Sequence, residues 1–137
     1  MNEFRWPVRV YYEDTDSAGV VYYANYFKFM ERARTEWLRS LGFEQDVLGR
    51  SEGVVFAVRS VQVDFLEPAR FNDSLVVTAR IAERRRASLK FEQSVYRSSP
   101  AAPPLCTGTV RIACIDAATL RPRAIPERIL KEIADVD

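Results

Sequence analysis

The sequence predicts an α+β fold in which one curved antiparallel sheet packs around a single long helix. A chain of 137 residues is long enough to form one domain with a substantial core. One early segment has the apolar spacing of a long helix, and five segments have strand character, the last four of them separated by turn-forming residues. A helix and a sheet can share one core only if the sheet wraps around the helix. We therefore expect a single domain over residues 1–137.

The first strand is expected at residues 5–12, RWPVRVYY, where aromatic and β-branched residues alternate with polar ones. Pro7 favours an edge position, because proline cannot donate a hydrogen bond to a neighbouring strand. Exposed sheet edges are commonly covered by continuing the sheet across a dimer. The sequence therefore predicts dimerisation through this edge.

The long helix is expected from Asn25 to Leu41, because its apolar residues recur at three- and four-residue steps. Gly42 is placed to end the helix. The apolar face carries Tyr26, Phe29, Met30, Ala33, Trp37 and Leu41. The opposite face is expected to be solvated or to lie at an interface, and it carries Lys28, Glu31, Arg32, Arg34, Glu36 and Arg39.

Four β-rich runs follow a loop with a short turn near residues 44–48. Turn-forming stretches separate the runs, which predicts hairpin connections and an antiparallel sheet. A short C-terminal helix is expected within residues 125–135, with Pro126 as its first helical residue. The four runs cover residues 54–68, 75–86, 88–98 and 105–116.

Composition and termini exclude several classes of partner and location. The net charge of +1 offers no general attraction to nucleic acid or to an anionic membrane. The chain has no secretory signal pattern and no run of the roughly eighteen apolar residues that a membrane span needs, so we expect a cytoplasmic protein without membrane insertion. Cys106 and Cys114 lie in one apolar run without metal or redox spacing, and we expect two buried thiols.

The absence of histidine excludes most hydrolytic mechanisms. Ser-His-Asp and Cys-His catalysis and nearly all catalytic zinc or iron centres require an imidazole. No dinucleotide-binding or P-loop motif is present, and Glu13, Asp14 and Asp16 lack the spacing of a calcium loop. The sequence predicts neither a metal nor a cofactor.

A carboxylate ahead of the long helix remains as candidate chemistry. The free N–H groups at a helix start can bind a developing oxyanion. Such a site suffices for a thioester, because a thiolate departs without an acid catalyst. An isolated Asp-x-Asp before a helix is more often a turn or a cap, and Asp14 fits that interpretation better than Asp16.

Residues 10–43, VYYEDTDSAGVVYYANYFKFMERARTEWLRSLGF, resemble the signature of the hotdog-fold thioesterases. The resemblance is to the branch that joins 4-hydroxybenzoyl-CoA thioesterase and the YbgC-like acyl-CoA thioesterases. It implies a hotdog fold, an acyl-CoA substrate, hydrolysis to the free acid and CoA, and a homodimer or homotetramer.

The resemblance also implies roles for individual residues. Asp16 corresponds to the catalytic carboxylate, as general base or as nucleophile, and Tyr12 to a tyrosine placed near it. The backbone N–H of Tyr23 corresponds to the group that polarises the thioester carbonyl. YbgC-like members usually have histidine at this position, whereas the hydroxybenzoyl branch has tyrosine. The side chains of Tyr22, Tyr23 and Tyr26 are interpreted as core or interface aromatics, the usual role of such residues.

The cluster Arg84, Arg85 and Arg86 would ordinarily be a solvated hairpin end. In an enzyme that uses CoA it is a candidate site for the nucleotide phosphates, because guanidinium groups bind phosphate bidentately. Two alternatives stay open: hydrolysis of acyl groups carried on acyl carrier protein, and a non-catalytic acyl-binding or scaffold module associated with lipid synthesis or with Tol-Pal envelope proteins.

Overall fold

A computed structural model describes residues 3–133, which form three α-helices and five β-strands. The strands form one antiparallel sheet in the order β1-β3-β4-β5-β2. This confirms the predicted α+β class and the antiparallel connections. In chain order the elements are β1 (Phe4–Arg9), α1 (Asn25–Ser40), α2 (Gln45–Ser51), β2 (Val54–Phe65), β3 (Ser74–Arg84), β4 (Ser88–Arg97), β5 (Cys106–Asp116) and α3 (Glu127–Glu132).

Helix α1 fills the concave face of the sheet. Phe29, Met30 and Ala33 on its inner face are fully buried, because the apolar residues of an amphipathic helix recur on one side. The sheet contributes its own alternating apolar residues to this core, including Leu75, Val77, Val95 and Val110. Gly42 ends the helix with φ +97°, a left-handed conformation that glycine adopts without a Cβ clash.

Several element boundaries differ from the prediction, three of them for a visible structural reason. Strand β1 ends at Arg9, because the backbone N–H of Tyr11 bonds the Asp14 carboxylate at 2.8 Å and the chain turns there. The turn expected near residues 44–48 is helix α2. Pro126 is the N-cap of α3 and precedes the first helical residue, and residues 134 and 135 of the expected helix lie outside the described residues.

Both cysteines are free and buried, as predicted. Burial raises the pKa of the Cys106 thiol to about 12 and that of Cys114 to about 11. A thiol with so high a pKa carries almost no nucleophilic thiolate near neutral pH. Neither cysteine is therefore suited to covalent catalysis.

Strands β1 and β2 are the two edges of the sheet. Pro7 and the exposed side chains of Arg5 and Arg9 protect the β1 edge against further pairing. Edge β2 lacks proline and exposes Val58, Val61 and Phe65. In the part of the chain from residue 3 to residue 133, no helix has the length and apolar character needed to cross a bilayer.

Candidate active site

Asp16 lies at the tip of a tight turn between β1 and α1. Its backbone N–H donates to the Val20 carbonyl at 2.9 Å, and its own carbonyl accepts from the Gly19 N–H at 3.0 Å. Gly19 has φ +79°, which closes the turn. One carboxylate oxygen of Asp16, Oδ1, accepts the Ala18 N–H at 2.8 Å. The carboxylate is therefore held at the surface, with Oδ2 left without a hydrogen-bond donor among residues 3–133.

Asp14, two residues earlier, belongs to the framework. Its side chain is buried, and the carboxylate accepts the Tyr11 N–H at 2.8 Å. Its backbone carbonyl accepts the Tyr22 N–H at 3.0 Å and the side-chain amide of Asn25 at 2.8 Å. Asp14 thus ties the turn to the first residue of α1, in agreement with its interpretation as a turn residue.

The start of α1 has a free backbone donor. The Asn25 N–H bonds the Tyr22 carbonyl at 2.8 Å, which makes Tyr23 and Ala24 the central residues of a turn. No side chain caps this helix. Within the described part of the chain, the backbone N–H of Tyr23 has no hydrogen-bond acceptor. The amide is thus available to an external oxygen atom.

The tyrosines near the turn divide into buried and exposed ones. Tyr26 is buried, and its hydroxyl oxygen accepts the Ala69 N–H at 3.0 Å. Tyr23 is 56% exposed, and the edge of its ring contacts Phe65 with 6.0 Å between centroids. Tyr12 is 76% exposed and stacks on Phe71, 3.8 Å between centroids. The Tyr12 hydroxyl makes no hydrogen bond to Asp16 in the structure.

The arginine hairpin lies at the far end of β3 from Asp16. The turn of Asp16 contacts the segment just before β3, through a bridge between Val20 and Arg70, whereas the hairpin follows the last residue of β3. The eleven residues of β3, at about 3.3 Å each, separate the two by roughly 35 Å along the strand. One chain therefore does not bring the arginines and Asp16 together.

The three arginines differ in their contacts. Arg84 donates to the Leu130 carbonyl at 3.3 Å, and Arg85 pairs with Glu83 at 3.3 Å. The side chain of Arg86 has no protein partner among residues 3–133 and is exposed. Arg86 is consequently the member that is most available to a ligand, a distinction that the sequence does not make.

A cleft between α1 and β2 was not anticipated from the sequence. It holds two adjoining cavities of about 130 and 190 Å³, and Arg34 lines both. The sequence places Arg34 on the face of α1 expected to be solvated or to lie at an interface, and in the structure its side chain is half-buried against the cleft. The available signal was its position four residues from Met30 and from Leu38, both of which are buried.

Within residues 3–133, no three acidic or cysteine side chains cluster so as to hold a metal ion. What the turn and the helix start offer, on neighbouring segments, is the exposed, turn-held carboxylate of Asp16 and the backbone N–H groups of Tyr23 and Ala24, which have no acceptor among residues 3–133. Such a pair can activate water, or attack a carbonyl directly, while an N–H stabilises negative charge on the carbonyl oxygen.

Comparison with known proteins shows a consistent likeness. A family model described as the thioesterase superfamily matches residues 18–103, beginning two residues after Asp16. The chain is 45% identical over 129 residues to the acyl-CoA thioester hydrolase YbgC of Escherichia coli O6:H1, covering 94% of each chain. It is 41% identical over 128 residues to the acyl-CoA thioesterase YbgC of Haemophilus influenzae, covering 93% of this chain and 92% of the relative.

The fold is also similar to that of a solved thioesterase structure. The crystal structure of Slr0204, a 1,4-dihydroxy-2-naphthoyl-CoA thioesterase from Synechocystis, superposes with a TM-score of 0.88 at 22% identity. The match covers 98% of this chain and 97% of that one. At this identity the likeness bears on the fold alone, which is the hotdog fold: an antiparallel sheet wrapped around one long helix.

Proposed function

Because this chain belongs to the thioesterase superfamily and has the acyl-CoA thioesterase function of its YbgC relatives, we propose that Asp16 supplies the reacting carboxylate. The observation that carries the proposal is the pairing of an exposed, turn-held carboxylate with the acceptor-free N–H of Tyr23. Of the two other acids of the motif, Asp14 is buried and already bonded. Glu13 is exposed but lies in the single helical turn Tyr12–Asp14, ahead of the turn that holds Asp16. Asp16 is therefore the better candidate.

Two routes use this carboxylate to hydrolyse an acyl thioester to the acid and CoA. As a general base, Asp16 takes a proton from water while the water oxygen attacks the carbonyl carbon, and the C–S bond breaks to release thiolate. As a nucleophile, a carboxylate oxygen forms a mixed anhydride and expels the thiolate, and water then hydrolyses the anhydride. Either route ends with one proton on the thiol, and neither needs histidine.

The Tyr23 N–H is the proposed donor to the oxyanion. Negative charge develops on the carbonyl oxygen as either nucleophile adds, and a fixed N–H lowers the energy of that state. The turn that contains Tyr23 is held by the bond from Asn25 to Tyr22, so the donor is oriented before substrate arrives. The phenol of Tyr23 contacts solvent and Phe65, and we assign it no chemical role.

The activity is tested by thiol release from a panel of acyl-CoA thioesters. Purified protein is expected to release free CoA from at least one short, long or aromatic acyl-CoA. The same acyl groups on acyl carrier protein form a second arm, which separates the two carriers. Binding of acyl-CoA without thiol release on any substrate would favour the non-catalytic module instead.

We further propose that the protein forms a homodimer through edge β2. This strand exposes Val58, Val61 and Phe65, and apolar side chains on an unprotected edge favour pairing with a second strand. A two-fold axis makes β2 antiparallel to its copy, so that residue 54 of one chain lies near residue 65 of the other. The proposal moves the dimer contact from the β1 edge, which the sequence favoured, to β2.

This arrangement gives the arginine hairpin a role across the dimer. The start of β2 and the hairpin lie at the same end of the sheet, since Ala113 of β5 pairs with both Ala57 and Ser88. The end of β2 lies beside Tyr23. Antiparallel pairing of the two β2 strands therefore brings the hairpin end of one chain to the Asp16 end of its copy. We propose that Arg84, Arg85 and Arg86 of one chain bind the CoA phosphates of a substrate held by the other.

Replacing the three arginines with alanine is expected to raise KM for acyl-CoA and to leave kcat largely unchanged, because the phosphates bind equally in the ground and transition states. The effect should shrink at high salt, where exposed charges are screened. A truncated thioester without the nucleotide is the control, and its kinetics should not change. Equal losses for both substrates would instead indicate damage to the hairpin.

Mixed dimers test whether the site spans two chains. Chains carrying Asp16→Asn are unfolded and refolded together with chains that lack the three arginines. One site of each mixed dimer then combines Asp16 from one chain with the hairpin from the other, so turnover with the low KM of wild type should reappear. If the turnover of the mixture is no higher than the sum of the turnovers of the two separate variants, each hairpin binds the substrate held by its own chain.

A further inference from the structure

Arg34 is a cation that the proposed reaction does not use. Its side chain enters the cleft between α1 and β2, where it lines both cavities. Burial lowers the pKa of the Arg34 guanidinium, because the apolar surroundings disfavour its charge. Apolar side chains form most of the remaining wall, among them Met30, Trp37, Phe56, Val58 and Phe91. The nearby charge of Glu31 offsets part of this effect on the pKa, and the nitrogens of Arg34 that lack an acceptor are not fully buried, so they can bind a group that enters the cleft.

The protein supplies Arg34 with one neutral acceptor. Nη1 of Arg34 donates to Oε1 of Gln93 at 3.0 Å. The orientation of this amide is fixed, since Nε2 of Gln93 donates to the carbonyls of Met30 at 3.0 Å and Thr78 at 3.2 Å. No carboxylate within residues 3–133 forms an ion pair with Arg34. Its other N–H groups therefore have no acceptor on the described chain.

Glu31 adds an acceptor to the same cleft. It lies one turn before Arg34, lines both cavities and accepts the Thr35 hydroxyl at 2.5 Å. Arg34 offers donors and Glu31 offers a carboxylate oxygen, so a hydroxyl can accept from the first and donate to the second. The cleft thus combines apolar walls with a polar pair of defined chemistry.

The cleft of Arg34 begins beside Phe27, and a separate cavity of about 240 Å³, lined by Tyr23 and Phe65, lies at the proposed site. Tyr23 and Arg34 are eleven residues apart, roughly 16 Å along a helix axis, and the arginine side chain leans back toward the helix start. Between them lies Phe65, whose ring contacts Tyr23 at 6.0 Å and Phe27 at 6.3 Å. The Phe65 ring also contacts buried Tyr26 at 5.5 Å and belongs to the β2 edge of the proposed dimer, so an acyl group that joins the two cavities has to pass beside this ring.

We infer that this cleft binds the far end of the acyl group, and that Arg34 selects acyl groups carrying an oxygen acceptor there, a hydroxyl above all. The inference rests on the proposed function, because it assigns the acyl end of the same substrate. Arg34 is a specificity-determining residue in this scheme, and it takes no part in breaking the thioester.

The wild-type protein is tested with CoA thioesters of equal length that end in a methyl, a hydroxyl or a carboxylate, over chains of about four to twelve carbons. At the length that reaches Arg34, the hydroxyl-ended substrate should exceed the methyl-ended one in kcat/KM by about tenfold, the scale of a charge-assisted hydrogen bond. The kcat/KM of the carboxylate-ended substrate should lie between these two values, because the negative charge of Glu31 repels that of the substrate. The inference would be overturned if, at every chain length, the kcat/KM of the methyl-ended substrate equalled or exceeded that of the hydroxyl-ended one. Failure to hydrolyse any thioester would instead overturn the proposed function.

The matched variants are Arg34→Met and Arg32→Met, which make the same change on one helix. Arg32 is exposed, with its guanidinium over the Phe29 ring at 6.0 Å. Arg34→Met should reduce the hydroxyl-to-methyl ratio of kcat/KM to near one, whereas Arg32→Met should retain it. An unchanged ratio in folded Arg34→Met would show that Arg34 only anchors α1 to Gln93. Arg34→Gln replaces Arg34→Met if the latter does not fold.

Discussion

Replacing Asp16 with asparagine is expected to lower kcat at least about a hundredfold while the fold stays intact, the scale of losing a general base. The amide keeps the shape of the side chain but removes both its basicity and its nucleophilicity. Its oxygen can still accept the Ala18 N–H, a bond of 2.8 Å in the native turn, so the turn should survive. Thiol release measures the effect, with circular dichroism and sizing as checks on the fold.

The matched control is Asp14→Asn, which makes the same change two residues earlier. An amide oxygen can also accept the Tyr11 N–H, so a folded Asp14→Asn should keep kcat near wild type and lose at most some stability. Comparable turnover by Asp16→Asn and wild type, in preparations free of other thioesterases, would contradict the assignment. A larger loss at Asp14 than at Asp16 would move the chemistry to the buried acid.

The helix and the strands were predictable because their signals are local. Apolar periodicity alone locates α1 from Asn25 to within one residue of its observed end, and alternation locates the four later strands. The strand order was not predictable, because β2 pairs with β5, and forty residues separate Phe65 from its partner Cys106 at the near ends of the two strands. The end of β1 was missed because a side chain, Asp14, captures the Tyr11 N–H, and alternation cannot detect such a bond.

The candidate site was predictable only where its chemistry follows from one segment. The motif put Asp16 in the loop ahead of the long helix and Tyr23 at the helix start, and both positions agree with the structure. Asp16 was expected among the free N–H groups of the helix start. In the structure its carboxylate instead accepts the Ala18 N–H of its own turn and caps no helix. The cleft at Arg34 was not predicted, because periodicity separates apolar from polar residues but does not show whether a charged side chain at the edge of the apolar stripe faces solvent or a cleft.

Replacing Tyr23 with proline is expected to cost roughly 10² to 10³ in kcat, the scale of a lost oxyanion donor. Proline deletes the N–H that has no acceptor in the structure and leaves the other turn bonds in place. The position tolerates it, because Tyr23 is the second residue of a turn closed by the bond from Asn25 to Tyr22, where proline is favoured. Circular dichroism and sizing establish the fold, and steady-state thiol release then gives kcat.

Two further substitutions distinguish the contribution of the Tyr23 backbone N–H to kcat from that of its side chain. Tyr23→Phe removes only an exposed hydroxyl, worth about 0.5 to 1.5 kcal/mol as an ordinary hydrogen bond, so kcat should stay within about tenfold of wild type. Tyr23→Ala removes the ring and its contact with Phe65 but keeps the N–H, and the difference between the alanine and proline variants therefore isolates the backbone donor. A folded proline variant with the turnover of the alanine variant would refute the backbone mechanism. A phenylalanine variant as inactive as Asp16→Asn would require a chemical role for the phenol, and the hydroxyl would then replace the N–H as the group that acts on the carbonyl oxygen.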